Sequence, residues 1–362
     1  MTCTADSLSS RVGGAAGSPA VAGCEPASAM PSARELARDF IVDLPACPEA
    51  LRVGADPVPG APAPCVIAIG AFDGVHRGHL DLLQRAKRDA RERGLAVVAV
   101  TFDPDPDEVV SVHPAPKLTS MADRVRALAS AGAGVAIVPF TRELAALDHI
   151  GFFERVLAPY LEVRAVHVGA DFRLGAHGAS TVDVMRAWGA ARGMDVMGHE
   201  LLSDGDAPIT ATRIRSLIAA GDVCAARREL GRRPFVRGVV KRGRGQGTGM
   251  GFPTANIEVP GGMQMPADGV YAGFALVDGA VWPAAINAGV PPMFADSAAS
   301  ARLEANLIGY RGDLYGKIVA IAFDRLVRPS RSFGSVEELI AAVNRDIATI
   351  KKAYGDASVR IA

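Results

Sequence analysis

The chain has 362 residues, 49% of them hydrophobic, which is enough for two domains with their own cores. Lysines plus arginines equal aspartates plus glutamates at 39 each, so neither nucleic acid nor an anionic membrane is expected as a partner. The cysteines (Cys3, Cys24, Cys47, Cys65 and Cys224) are scattered and lack metal-ligand spacing, and no run of 18 apolar residues occurs. Disulfides, zinc and a membrane span are therefore not expected. No signal peptide is read at the N-terminus, which makes the cytoplasm the default location.

The first thirty residues are rich in Ala, Ser, Gly and Pro and read as a disordered tail. A short helix is predicted over Ala33–Phe40, and the proline-rich stretch 56–64 reads as a linker. The apolar, β-branched run 65–69 predicts a buried strand. From His79 the spacing turns helical, with Leu80, Leu83, Ala86 and Ala90 on one face. Between strand and helix lies Ile69-Gly70-Ala71-Phe72-Asp73-Gly74-Val75-His76-Arg77-Gly78-His79. Gly70, Gly74 and Gly78 let the backbone bend and approach a ligand, and a helix N-terminus suits phosphate. His76 and His79 share one side of the first turn, where each can donate to phosphoryl oxygens as charge develops. Two surface histidines at an ordinary strand–helix junction is the plain alternative.

Further strands are predicted over 95–102, 135–139 and 164–168, alternating with helices over 121–131 (capped by Thr119-Ser120), 148–159 and 180–192. Such alternation implies a doubly wound parallel sheet with ligands at the carboxyl ends of the strands. His76, Asp103 and the segment Gly169-Ala170-Asp171-Phe172 fall at such ends. In Ile209-Thr210-Ala211-Thr212-Arg213-Ile214-Arg215, Thr212 is expected to cap a helix and donate to phosphate, and the Arg215 fork suits phosphate oxygens, with a basic helix face as the plain alternative. A helix over Val223–Leu230 follows, and a domain boundary falls at Gly231-Arg232-Arg233-Pro234.

The segment 69–79 resembles the signature of prokaryotic FAD synthetases, the N-terminal half of bifunctional riboflavin kinase/FMN adenylyltransferases. That resemblance implies an HxGH nucleotidyltransferase-like domain in which the histidine pair stabilises the α-phosphate of ATP while the FMN phosphate attacks. It implies ATP or phosphate contacts at Gly70, Phe72, Asp73, Gly78 and Thr212, and flavin contacts at Asp171 and Phe172. Several positions depart from the family pattern. The usual TFxPHP reads Thr101-Phe102-Asp103-Pro104-Asp105-Pro106, an Asn-Phe becomes Asp171-Phe172, a Phe-Gly becomes Leu174-Gly175, and the first Ser of a Ser-Thr pair is Ala211. An acid at Asp105 is expected to repel phosphate unless it holds Mg²⁺.

Beyond residue 234 helical spacing nearly vanishes until Ser335, and short strands over 269–276, 282–287, 302–307 and 317–326 suggest a small β-barrel. The glycine-rich loop 243–251 leads into Gly251-Phe252-Pro253-Thr254-Ala255-Asn256, which resembles the GFPTAN signature of riboflavin kinases. That resemblance implies phosphate contacts at Gly243, Gly245, Gly251, Thr254 and Asn256. It also makes Thr254 and Asn256 ligands for Mg²⁺, for which their oxygens are suitable. Glu304 matches the family's strand glutamate, the base for the ribityl hydroxyl. Tyr271 and Arg328 are expected near the flavin. Departures here are Met293 for a threonine and Asn306 for a histidine. The chain closes on a helix over Val336–Tyr354, with Ser335 and Glu338 as capping box.

The expected architecture is thus an extension and linker over 1–60, a nucleotidyltransferase-like α/β domain over 61–231, and a riboflavin-kinase barrel with a C-terminal helix over 232–362. The expected activity is phosphorylation of riboflavin to FMN, then adenylylation of FMN to FAD with release of pyrophosphate, with Mg²⁺ and ATP. A monomer or weak homo-oligomer is expected. Two other readings stay open at this point. One is a diverged paralogue with a single activity, the kinase before the other, or one acting on a modified flavin. The other is a non-catalytic flavin- or nucleotide-binding protein.

Overall fold

A computed structural model of the chain describes residues 29–42, 49–54, 62–205, 207–242, 252–289 and 303–361. The expectations for the N-terminal tail, for most of the linker, for Gly243, Gly245 and Gly251, and for Met293 lie outside the described residues.

The N-terminal half is built on a parallel sheet. Its strands are β1 (Leu51–Arg52), β2 (Pro64–Ile69), β3 (Ala96–Phe102), β4 (Gly134–Val138), β5 (Glu162–Gly169) and β6 (Asp195–His199), in the order β1-β4-β3-β2-β5-β6. Strand order reverses between β2 and β5, which puts the open crevice of a doubly wound sheet at the end of β2. Alternation along β2 serves both faces. Val66 and Ala68 pack under helices α2 (Arg77–Arg93) and α3 (Met121–Ser130), whereas Cys65, Ile67 and Ile69 pack against Phe152–Leu157 and α4 (Val182–Ala190). Each layer thus buries one stripe, the arrangement that strand–helix alternation requires.

The C-terminal half is a closed antiparallel barrel of β7 (Phe235–Lys241), β8 (Ala255–Glu258), β9 (Gly269–Val277), β10 (Ala280–Ala288), β11 (Leu303–Leu307) and β12 (Ile318–Pro329). Its ring order is β9-β12-β7-β8-β11-β10, closed by pairing of β10 with β9. The helix α7 (Val336–Tyr354) lays Ile350 and Tyr354 on the outer side of β9 and β12. Two helices, α5 (Ala211–Ala219) and α6 (Val223–Leu230), lead from the sheet to the barrel.

Part of the segment 1–60 belongs to the fold, which corrects its reading as extension and linker throughout. Leu51–Arg52 adds an edge strand beside β4. Ala33–Phe40 forms helix α1, capped by Ser32, and buries Leu36 and Phe40 in a core shared by both halves. Its acids meet one buried and one half-buried arginine. Arg233, 1% exposed, binds Asp39, Glu35 at 3.1 Å and Asp324 at 2.6 Å, while Arg227 binds Glu35 at 2.8 Å. Such charges persist out of water only when paired and hydrogen-bonded. Cys65 is free and buried, but Cys224 is disulfide-bonded, against the expectation of no disulfides.

Candidate functional site

The turn after β2 has an unusual backbone. Phe72, Gly74 and Val75 take φ of 53°, 78° and 38°, and a β-branched residue such as Val75 rarely enters that region. Phe72 is fully buried, and its ring meets His79 edge-on at 5.2 Å. Its side chain therefore supports the histidine, which leaves only its backbone for the expected nucleotide contact. Gly78 sits in close quarters, since a Cβ there would lie 3.1 Å from the His76 ring and 3.3 Å from the Ile209 carbonyl oxygen and would push on the ring. Gly70 donates its N–H to the Val100 carbonyl at 3.1 Å, which holds the end of β2 against β3.

Helix α2 begins at Arg77, with His76 as its N-cap. The His76 Nδ1 accepts from the His79 N–H at 3.4 Å, so a neutral His76 carries its proton on Nε2. The two rings stack with centroids 3.6 Å apart. Burial, then the charges of Arg232 and Arg215, push the His76 pKa down to about 3; burial, then His76, lower that of His79. The His79 Nδ1 is buried without a hydrogen-bond partner among the described residues. A buried polar atom left unpaired is costly, and an incoming phosphoryl oxygen would satisfy it.

Asp73 does not fit the expected role of phosphate contact. Its carboxylate accepts from the N–H groups of Leu118 (2.9 Å) and Thr119 (3.1 Å), and from the Arg215 guanidinium at 2.7 Å. It is a saturated brace for the turn. Arg215 stands beside the histidines but is engaged by Asp73 and by the Pro116 carbonyl at 2.7 Å. Helix α5 is capped by Thr210, not by Thr212 as expected, because Thr210 takes the extended φ/ψ of a cap and its hydroxyl accepts from the Arg213 N–H at 3.1 Å. Thr212 is then the second helical residue and is exposed, with its hydroxyl uncommitted among the described residues.

The acid at Asp105 has a partner that sequence reasoning missed. Arg124, 1% exposed, grips it with both terminal nitrogens, one at 2.8 Å. The pair offsets the repulsion expected toward phosphate. A signal was present, since Arg124 lies on the face of α3 that buries Val125 and Leu128. Asp171 and Phe172 follow β5; Asp171 is exposed, and Phe172 packs with Leu174 at the rim of the core on the α4 face.

On the barrel, three strands bring polar residues into one row. Asn256 on β8 is opposite Glu304 on β11, which is opposite Asn287 on β10. Opposed residues share a face, and the neighbours Ala255, Leu303, Ala305, Ile286 and Ala288 fill the interior, so the row lies outside. Among the described residues no side chain pairs with Glu304, Thr254 or Asn256. Burial raises the Glu304 carboxyl above its usual range. Asn306, the departure beside it, donates to the Pro253 carbonyl at 2.8 Å and so holds the turn before Thr254. Uncommitted hydroxyl and amide oxygens two residues apart, beside a carboxylate, are hard donors of the type Mg²⁺ takes together with phosphate.

Tyr271 and Arg328, expected near the flavin, have partners within the framework. Tyr271 is fully buried, donates to the Ala267 carbonyl at 2.7 Å and packs on Phe323, so it belongs to the barrel core. Arg328 binds Asp346 at 2.9 Å and fastens α7 to β12.

Comparison with known proteins agrees with both halves. The FAD synthetase family matches residues 59–213, and the riboflavin kinase family matches residues 230–354. The bifunctional riboflavin kinase/FMN adenylyltransferase of Pseudomonas fluorescens is 32% identical over 288 residues, covering 79% of this chain and 92% of that protein. That of Escherichia coli K12 is 34% identical over 294 residues, covering 80% and 93%. A crystal structure described as a macrolide-efflux protein from Streptococcus pneumoniae aligns with a TM-score of 0.74 at 26% identity, covering 84% of this chain and 99% of that one. Among the described residues of this chain, no helix is long and apolar enough to cross a membrane.

Proposed function

We propose a division of labour between two sites, from the premise that this chain belongs to the bifunctional riboflavin kinase/FMN adenylyltransferase family and makes FAD from riboflavin in two transfers. In the first transfer, Glu304 takes the proton of the riboflavin 5′-hydroxyl as its oxygen attacks the γ-phosphorus of ATP. The bond to the bridging β–γ oxygen breaks, and ADP leaves. Thr254 and Asn256 would hold Mg²⁺ with the phosphates, and the ion would supply charge neutralisation there. In the second transfer, a phosphate oxygen of FMN attacks the α-phosphorus of a second ATP, and pyrophosphate leaves. His76 Nε2–H and the N–H groups opening α2 donate to the α-phosphate, His79 lies against them, and Arg215 exchanges Asp73 for the leaving group. Asp171 and Phe172 border the crevice on the flavin side.

The observation that carries this reading for the first half is the stacked His76–His79 pair at the N-terminus of α2, with one ring nitrogen left unsatisfied. For the second half it is the row of Asn256, Glu304 and Asn287. The substrates are diffusible small molecules; we place the chain in the cytoplasm as a monomer or weak homo-oligomer.

Incubation of the purified protein with riboflavin and MgATP, followed by chromatography, tests the whole scheme. FMN and FAD are the expected products. FMN alone would show the first half silent, and neither product would overturn the flavin assignment. Glu304→Ala should abolish FMN formation yet spare FAD formation from supplied FMN, and His79→Ala should do the reverse.

A further inference from the structure

We propose that Arg232, although it opens the barrel half, is a positioning residue for adenylyl transfer: its guanidinium holds the turn 72–75 in the shape that presents His76 to the nucleotide.

The geometry is specific. Gly74 and Val75 both have left-handed φ, 78° and 38°. Consecutive left-handed residues turn successive carbonyls to the same side, as one turn of a helix does. Both residues are buried, so those carbonyls need donors inside the protein. Arg232 supplies them. Its Nη1 donates to the Val75 carbonyl at 3.1 Å and its Nη2 to the Gly74 carbonyl, while the residue is only 7% exposed. A planar fork meets two adjacent carbonyls at once, and a lysine ammonium on a flexible stem does not. The next residue in the chain is His76, whose ring caps α2 and stacks on His79. Arg232 touches no position expected to bind substrate; it acts through the turn.

The other side of the turn is held differently. Gly74 donates its N–H to the Thr119 hydroxyl at 3.1 Å, and Asp73 is bonded to Leu118 and Thr119. Those contacts tie the turn to its own half. Arg232 alone, among the described residues, ties its carbonyls to the chain that begins the barrel. Its charge also faces His76 together with Arg215, and His79 together with Arg124. Removing it leaves the imidazoles easier to protonate.

The inference rests on the adenylyl-transfer reading above, and the test uses the full chain, where riboflavin phosphorylation reports independently on folding. FAD formation from supplied FMN and FMN formation from riboflavin are measured for wild type, Arg232→Gln and Arg232→Lys. A misplaced reacting group costs about a hundredfold in rate. Arg232→Gln should therefore lose roughly a hundredfold in kcat for FAD formation, with the FMN-forming kcat within about twofold. Arg232→Lys, which keeps charge without the fork, should recover part of the loss. The acid limb of the pH profile for FAD formation should move to higher pH in Arg232→Gln. A wild type that makes no FAD from FMN would sink the adenylyl-transfer reading itself. With an active wild type, any of three results overturns the inference alone: full FAD formation by Arg232→Gln, a fully active Arg232→Lys, or equal loss of both activities in Arg232→Gln.

Discussion

The acid at Asp105 stands where the family pattern carries histidine, so restoring that histidine is an informative perturbation. In the structure Asp105 is the main partner of Arg124, whose side chain is 1% exposed. The next carboxylate, Asp73, lies 3.7 Å away and already accepts from Leu118, Thr119 and Arg215. Asp105→His or Asp105→Ala therefore leaves a buried guanidinium with a shared, distant counter-charge. Breaking a buried pair from one side costs about 3–5 kcal/mol. The remaining attraction of Asp73 puts the expected loss at the lower end, about 3 kcal/mol, or roughly 6–12 °C in the melting temperature of a domain this size. Thermal and urea unfolding of the full chain measure it, with FAD formation assayed alongside. Replacing both partners, Asp105→Leu with Arg124→Met, removes the charge together with its counter-charge and should recover most of the stability. Asp105→His should thus lower FAD formation instead of improving it. A single substitution costing under about 1 kcal/mol, or a double variant no more stable than the single, would refute the pairing as the reason this acid is tolerated.

Other outcomes follow from the same structure. His76 is held neutral, with its pKa pushed down to about 3. Above pH 6.5 native and unfolded states are both neutral there; below it the unfolded chain takes a proton that the native state refuses, so stability falls with pH down to about 3. Urea unfolding at pH 5.5 should show about 1.4 kcal/mol less stability from this residue than at neutral pH, and His76→Asn should remove that part of the dependence. Burial raises the Glu304 carboxyl, so kcat for FMN formation should rise with pH through a midpoint above the ordinary carboxylate range. A midpoint at or below about 4.3 would deny it the role of base. Tyr271→Phe should cost about 1 kcal/mol of stability through the bond to Ala267 and leave the riboflavin KM unchanged. A large rise in that KM would return Tyr271 to the flavin.

Much of the frame was legible because periodicity reports burial. The run 65–69 became β2, and the cap at Ser335 began α7 where expected. The helix over Ala33–Phe40 was also legible, but its seat was not. Asp39 and Arg233 are 194 residues apart and meet only in the folded chain. The same holds for Asp105 with Arg124 and for Asp73 with Arg215: each was visible as a charged residue, and none declared its partner. For Tyr271 and Arg328 the motif match named a position but not its partners, because pleat and packing decide which face a strand residue takes. Thr210 and Thr212 were separated only by which of them left the helical φ/ψ.

The same long-range pairs explain how two chemistries share one polypeptide without a loose tether. The segment 116–119 faces both halves. Its Leu118 and Thr119 amides hold Asp73 in the histidine turn, and its Pro116 carbonyl holds Arg215. Between them, Lys117 donates its N–H to Gly262 at 2.7 Å and accepts from Gln264 at 2.8 Å, both in the loop that leads into β9. Arg232 reaches the same turn from the start of β7, and Arg237 on β7 binds Asp123 on α3 at 2.9 Å. The adenylyl-transfer turn is therefore clamped from two directions by the barrel half. The Asp73 and Arg232 bonds are buried, so displacing the barrel would leave the Gly74 and Val75 carbonyls without their donors. If the histidine turn carries the second transfer as proposed, a chain ending at residue 230 should form FAD from FMN much more slowly than the full chain, and an undiminished rate would refute the clamp; the row of Asn256, Glu304 and Asn287, by contrast, is built within the barrel alone.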